Sequence, residues 1–230
     1  MRLNKKGRNK GQKLEDDILN KVQSGDSGSC LKLMKQHGID VSQPFSKALH
    51  DKSLINGRPS EVKTDIIVGQ WNFSVKKHKD VQLVSCGGQT ASGYFELGAK
   101  KVFGSKNMIP SNLRVLMDDM SKLPKKMKPH AATHWKVFER SLFNSRVSNI
   151  LNSYPALKEE IVKVALTGDG IFTNNASVAN AVLTPKKLRR IDESYVKSAS
   201  SLSKFDFRMK SRNGISEVNF RIGLDMRKIP

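Results

Sequence analysis

The chain has 230 residues, with Lys+Arg 41 against Asp+Glu 21 and a formal net charge of +20. An excess this large points to a polyanionic partner, nucleic acid first, and hydrophobic residues at 37% suffice for a core. Two distant cysteines, Cys30 and Cys86, without a CxxC pair, exclude a zinc cluster or a disulfide scaffold. No apolar run approaches a membrane span, and the first residues are not signal-like. The expectation is a cytoplasmic chain with reduced thiols and no membrane partner.

Residues 1–13 read as a flexible basic arm. KLEDDILNKVQS places Leu14, Ile18 and Val22 at helical spacing, and GSCLKLMKQHG predicts a second helix closed by Gly38. SQPFSKALHDKSLING predicts a third, with Ser46 as its cap and Gly57 beyond its end. KTDIIV, the turn GQWN and NFSVKK then predict a β-hairpin with one polar face. Phe73 and Val75 point one way, while Ser74 and Lys76 point the other, where Asp65 meets them from the facing strand.

The segment from Asp80 to Gly104 reads as mostly helical, weakened at Gly87-Gly88. SNLRVLMDDMSKL, ATHWKVFERSLFNSRVSNILNSY and ALKEEIVKVALTG are predicted helices, the last closed by Gly168. GDGIFTNN is a loop and ASVANAVL is ambiguous between states. PKKLRRIDESYVKSAS predicts a helix with Pro185 in its first turn. KFDFRMKSRNGISEVNFRIGLDM predicts two strands joined around Asn213-Gly214. The fold class is therefore α+β or mixed α/β, a small central sheet with flanking helices. Residues 14–230 read as a single domain, with a helical subdomain at about 107–200.

Several motifs carry little chemistry. His130 and His134 stand at i, i+4 in HAATH but lack the Glu of a zinc-protease helix. Thr167-Gly168-Asp169-Gly170 lacks the lysine of a phosphate loop and reads as a helix end with a turn. Trp71 and Trp135 read as packing residues. The basic clusters VKKHKD, PKKMKPH and PKKLRR suit phosphate contact.

An aspartate facing a lysine across two strands is either a cross-strand ion pair or part of a hydrolytic centre. In such a centre a carboxylate-held cation assists water attack and a lysine orients the water or neutralises charge. Lys63-Thr64-Asp65 followed by Ser74-Val75-Lys76 resembles the PD-(D/E)xK, or restriction-endonuclease-like, nuclease superfamily, over residues 61–96. Gln82-Leu83 is similar to the Gln-led motif that opens the next helix in some of its branches. Ser74 departs from the pattern, standing where the family has its second acid.

The resemblance implies a restriction-endonuclease-like core with a helical insertion, and an Mg²⁺- or Mn²⁺-dependent endonuclease acting on DNA. It implies Asp65 as a metal ligand, helped by Glu61 or Glu96, with Lys76 acting on the attacking water. Ser74 would hydrogen-bond around the metal, Gln82 would orient substrate or a ligand, and Lys63, Lys77, His78 and Lys79 would contact nucleic acid. A homodimer and a phage or bacterial source are compatible with it. The rival expectation is a non-catalytic nucleic-acid-binding or phage nucleoprotein structural protein, which explains the charge and the missing acid but not the placement of Asp65 against Lys76.

Overall fold

The computed structural model describes residues 10–24, 28–47, 51–55, 59–60, 62–76, 81–212 and 215–229. Two helices come first, α1 (Lys10–Gln23) and α2 (Ser29–Gln36), then short strands β1 (Phe45–Lys47), β2 (Asp51–Lys52) and β3 (Pro59–Ser60). A hairpin follows, β4 (Ile66–Val68) and β5 (Trp71–Val75), and then β6 (Val81–Cys86). A helical run comes next: α3 (Gly88–Phe103), α4 (Ser111–Lys122), α5 (Pro129–His134), a π-helical segment at Trp135–Glu139, α6 (Arg140–Ser153) and α7 (Pro155–Thr167). The chain ends with β7 (Ala181–Leu183), β8 (Leu188–Arg190), α8 (Glu193–Leu202), β9 (Lys204–Arg212) and β10 (Ile215–Leu224).

This is a mixed α+β fold. A five-stranded sheet has the order β1-β4-β5-β7-β8, and a three-stranded sheet the order β6-β10-β9. All pairings are antiparallel except β5 with β7, which run parallel in the middle of the larger sheet. The larger sheet is buried on both faces by two separate cores. Ile18 of α1 and Met34 of α2 pack against Ile66, Phe73, Val75 and Leu183 on one side. Val182, on the other side, joins the larger core that the helical run shares with β6, β9 and β10. Alternation along β5 and β7 thus sends successive side chains into different cores.

The hairpin turn is tighter than expected. Gly69 (φ +53) and Gln70 make it alone, and Trp71 is already in the strand. A positive φ at the first turn position suits glycine. Trp71 stacks on Phe73 with centroids 5.8 Å apart, and the Arg190 guanidinium covers the ring at 4.3 Å.

Three predicted helices need correction. The segment expected to form the third carries β1 and β2, because Phe45–Lys47 gains a full register with Ile66–Val68. Residues 81–86 form a strand, since Val81, Leu83 and Val84 are buried against β10 and tertiary pairing overrides the local helical pattern. Gly87-Gly88 is then the strand-to-helix junction. A Cβ on Gly88 would stand 2.2 Å from the Met120 carbonyl oxygen, so this position lets α3 start against the end of α4. The segment after Pro185 first forms β8, and its helix begins only at Glu193, where the Asp192 carboxylate accepts from the Tyr195 N–H.

Elsewhere the boundaries hold within a few residues. α7 ends at Gly168 (φ +78), whose N–H donates to the Val164 carbonyl. α1 starts at Lys10, inside the stretch expected as a basic arm; residues 1–9 lie outside the described residues. The run expected as a helical subdomain includes β7 and β8, which belong to the larger sheet. No helix among the described residues is long and apolar enough to cross a membrane.

Candidate active site

The site lies where β4 begins and β5 ends. Asp65 precedes β4, and its N–H donates to the Phe73 carbonyl at 2.8 Å. The next register pair is Ile66 with Phe73, so Asp65 faces the end of β5. Its Oδ2 accepts from the Val75 N–H at 2.6 Å, and the Lys76 Nζ lies 3.4 Å away. Lys76 leaves the sheet with its own N–H donating to the Leu183 carbonyl of β7, at 2.8 Å. The same ammonium donates to the Val75 carbonyl at 3.2 Å. A cationic group therefore sits between a carboxylate oxygen and a peptide carbonyl, both side chains being about four-fifths buried (22% and 18% exposed).

A second carboxylate reaches this end of the sheet from a distant part of the sequence. Leu14, Ile18 and Leu19 seat α1 on the β4–β5–β7 face, and that docking brings Glu15 to the strand ends. Glu15 is only 13% exposed, and its Oε2 lies 3.6 Å from the Lys47 Nζ of β1. Burial pushes its carboxyl above the ordinary range, and the negative charge of Asp65 adds to the rise. Lys47 and Lys76 pull the other way without cancelling it. Asp65, Glu15 and two lysines thus share one corner, with Asp16 also 3.6 Å from the Lys47 Nζ at its rim. The corner is partly shielded from water, where charge interactions are stronger than at an exposed surface.

The remaining expected residues scatter. Ser74 is 1% exposed, and its hydroxyl has no protein partner. Its register neighbour on β7 is Val182, so the position that carries an acid in the resembled family is here an interior one. Thr64, beside Asp65, is equally buried and its hydroxyl also lacks a partner. Lys63 donates to the Leu83 carbonyl at 2.7 Å, tying the approach to Asp65 onto β6. Gln82 is exposed on β6 opposite Gly223, on a strand and not at a helix start. Glu96 lies half-exposed on α3 and pairs with Lys100 at 3.0 Å; α3 packs mainly on α4, α7 and β10. Glu61, Lys77, His78 and Lys79 lie outside the described residues.

Sequence reading missed Glu15. It is fifty residues from Asp65 in the chain and lies in a polar run, Glu15-Asp16-Asp17, that any amphipathic helix could show. The only local signal was the apolar stripe, which fixes the docked face of α1 and so the direction of Glu15. The donor set at the corner is purely oxygen: Asp65, Glu15 and the Val75 carbonyl. That chemistry fits a hard divalent cation, which takes few protein carboxylates and retains water. Among the described residues no cluster of three or more His, Cys, Asp or Glu side chains is gathered.

No family model and no curated protein matches the chain. Among solved structures the chain is similar to restriction endonuclease MspI in complex with its cognate DNA. That similarity has a TM-score of 0.47 and 12% identity over 92% of this chain and 88% of the other.

Proposed function

We propose that the chain is a divalent-metal-dependent DNA endonuclease of the PD-(D/E)xK type, whose second acid comes from the N-terminal helix. The observation that carries this reading is the convergence of Glu15 on the Asp65–Lys76 pair. A simple cross-strand ion pair needs no further acid, and a carboxylate buried beside another carboxylate is costly unless a cation is to be held there. Asp65, Glu15 and the Val75 carbonyl would hold Mg²⁺ or Mn²⁺, which when bound supplies charge stabilisation and a more acidic water.

Each of the chain's own groups has a task in this reading. The Val75 N–H fixes the rotamer of Asp65. Lys76, loosely held at 3.2–3.4 Å by two oxygens, can turn its ammonium towards the attacking water or towards the charge that develops on a phosphate. Lys47 offsets the charge of Glu15, and of Asp16 beside it, from β1. The basic surface supplies binding that does not depend on sequence.

Plasmid cleavage with Mg²⁺ or Mn²⁺, compared with a chelator control, tests the reading. Asp65→Ala is expected to abolish cleavage with DNA affinity retained, and Lys76→Ala to slow it by about 10² or more. Salt-sensitive DNA binding without cleavage in either metal would instead identify a non-catalytic nucleic-acid-binding protein.

A further inference from the structure

The β6–β10–β9 sheet has one face in the larger core and one open to water. Val218, Phe220 and Ile222 point inward along β10, and Phe207 does so from β9. The intervening residues define the open face: Arg208 and Lys210 on β9, Glu217 and Arg221 on β10 on either side of a buried Asn219, and Gln82 on β6 opposite Gly223. One end of this face adjoins the candidate active site, because Lys63 donates to the carbonyl of Leu83, next to Gln82.

The other end gains a third element. β6 pairs only with Phe220–Leu224, and beyond it the vacated edge of β10 is taken by Met127. The Met127 N–H donates to the Ser216 carbonyl at 2.8 Å, and its side chain packs against the larger core. Since Met127 turns inward, alternation puts Lys126 and Lys128 on the open face with Lys210. All three lysines are exposed, and among the described residues none of their ammonium groups has a hydrogen-bond or ion-pair partner. The acids nearby are few: Glu217, paired in register with Lys210, and Asp206, which already meets Arg221 at 3.5 Å and Arg140 at 4.0 Å.

The other basic cluster behaves differently. In PKKLRR the Lys187 ammonium donates to the Ile229 carbonyl at 2.7 Å, and Arg190 lies over Trp71. Those cations serve the fold. The ammonium groups at 126, 128 and 210 meet no partner among the described residues, yet a backbone bridge and a partly buried methionine hold two of them in place.

We propose that this open face, from Gln82 to Lys126, Lys128 and Lys210, is a track for the phosphate backbone of duplex DNA leading away from the Asp65–Lys76 corner. From Gly223 to Ser216 the strand covers about 24 Å at 3.4 Å per residue, most of one turn of B-form DNA at roughly 34 Å. Phosphates bound along it would hold the duplex at a distance from the reacting one and set its direction. The proposal rests on DNA being the substrate, as above, but not on the cleavage chemistry.

The test compares two triple variants with equal charge change. One is Lys126→Gln/Lys128→Gln/Lys210→Gln; the other, a control on exposed lysines elsewhere, is Lys32→Gln/Lys35→Gln/Lys106→Gln. Affinity for a duplex of about 30 base pairs is measured in chelator across a salt series. Each lost phosphate contact lowers the salt slope by about 0.9. The track variant is expected to lose about 2–3 in slope and at least tenfold in affinity, with the control near the parent. Equal losses in both variants, or parent-like binding by the track variant, would overturn the proposal. So would a loss confined to a single strand of the same length with duplex affinity intact. Melting temperatures near the parent's establish folding, and Lys210→Gln alone should lower the slope by about one. Because no metal is present, failure here leaves the cleavage reading to its own assay.

Discussion

Ser74 shows how burial governs which side chain a site can use. An aspartate there would stand beside Val182 and across from Asp65, at a position that is 1% exposed. Ser74→Asp is therefore expected to destabilise the protein by on the order of 3 kcal/mol, the scale of an uncompensated buried charge. Ser74→Ala, which removes no protein hydrogen bond, should stay within about 1 kcal/mol. Chemical denaturation of the two variants measures both. Glu15 illustrates the opposite compromise. Its folded carboxyl is raised above the ordinary value of 4.5, so the charged form is disfavoured in the fold. Below that value it is protonated in both states and costs nothing; as pH rises from the ordinary value to the raised one the cost builds up, and above the raised value it persists in full. Glu15→Gln should thus melt like the parent near pH 4 and higher than the parent at neutral pH in chelator, while cleavage is lost. An unchanged or lower neutral melting temperature would contradict the assigned direction. The pairing of Asp65 with Lys76 was legible in the sequence because both lie on one hairpin with a two-residue period. Glu15 was not, since nothing local links a helix to strands fifty residues later.

At the level of elements, period and punctuation told most where one chain segment decides its own shape. α1, α2, α4 and α7 follow their apolar stripes, and the β9–β10 pair follows its alternation. The errors fall where a neighbour decides instead. Residues 81–86 became a strand because β10 offers an unpaired edge and a buried place for Val81, Leu83 and Val84. Residues 188–190 became one because β7 does the same. Gly88 marks such a boundary with a hard steric limit, the Met120 carbonyl at 2.2 Å from any added Cβ. The opposing atom is backbone, so it cannot swing aside. Gly88→Ala is expected to cost about 1–3 kcal/mol, as overpacking does, despite alanine's better helix propensity. A denaturation midpoint equal to the parent's would mean that α3 and α4 separate freely.

For the whole molecule, two cores divided by one sheet mean that the candidate site depends on both faces at once. α1 and α2 clamp one face, and the helical run with the second sheet supports the other. The parallel strand β7 joins the two, with Ala181 and Leu183 in the smaller core and Val182 in the larger. The proposed track on the open face of the β6–β10–β9 sheet would then give the molecule a direction, with the acids at one end and the exposed lysines at the other.

The smaller core has a consequence for biosynthesis. It joins residues 18–39 to residues 181–188, so the segment that carries Glu15 leaves the ribosome long before the strand it must settle against. Until β7 emerges, β5 has an unpaired edge, the Leu183 carbonyl is not there to receive the Lys76 N–H, and α1 has no complete surface to rest on. On the proposed reading the nascent polypeptide is therefore expected not to cleave nearby nucleic acid for most of its synthesis, and to become competent only once β7 has emerged. Ribosome-bound chains stalled before residue 183 clears the exit tunnel should not cut plasmid in Mn²⁺, whereas chains stalled well past residue 230 should; cutting by the shorter chains would show that the corner forms without β7.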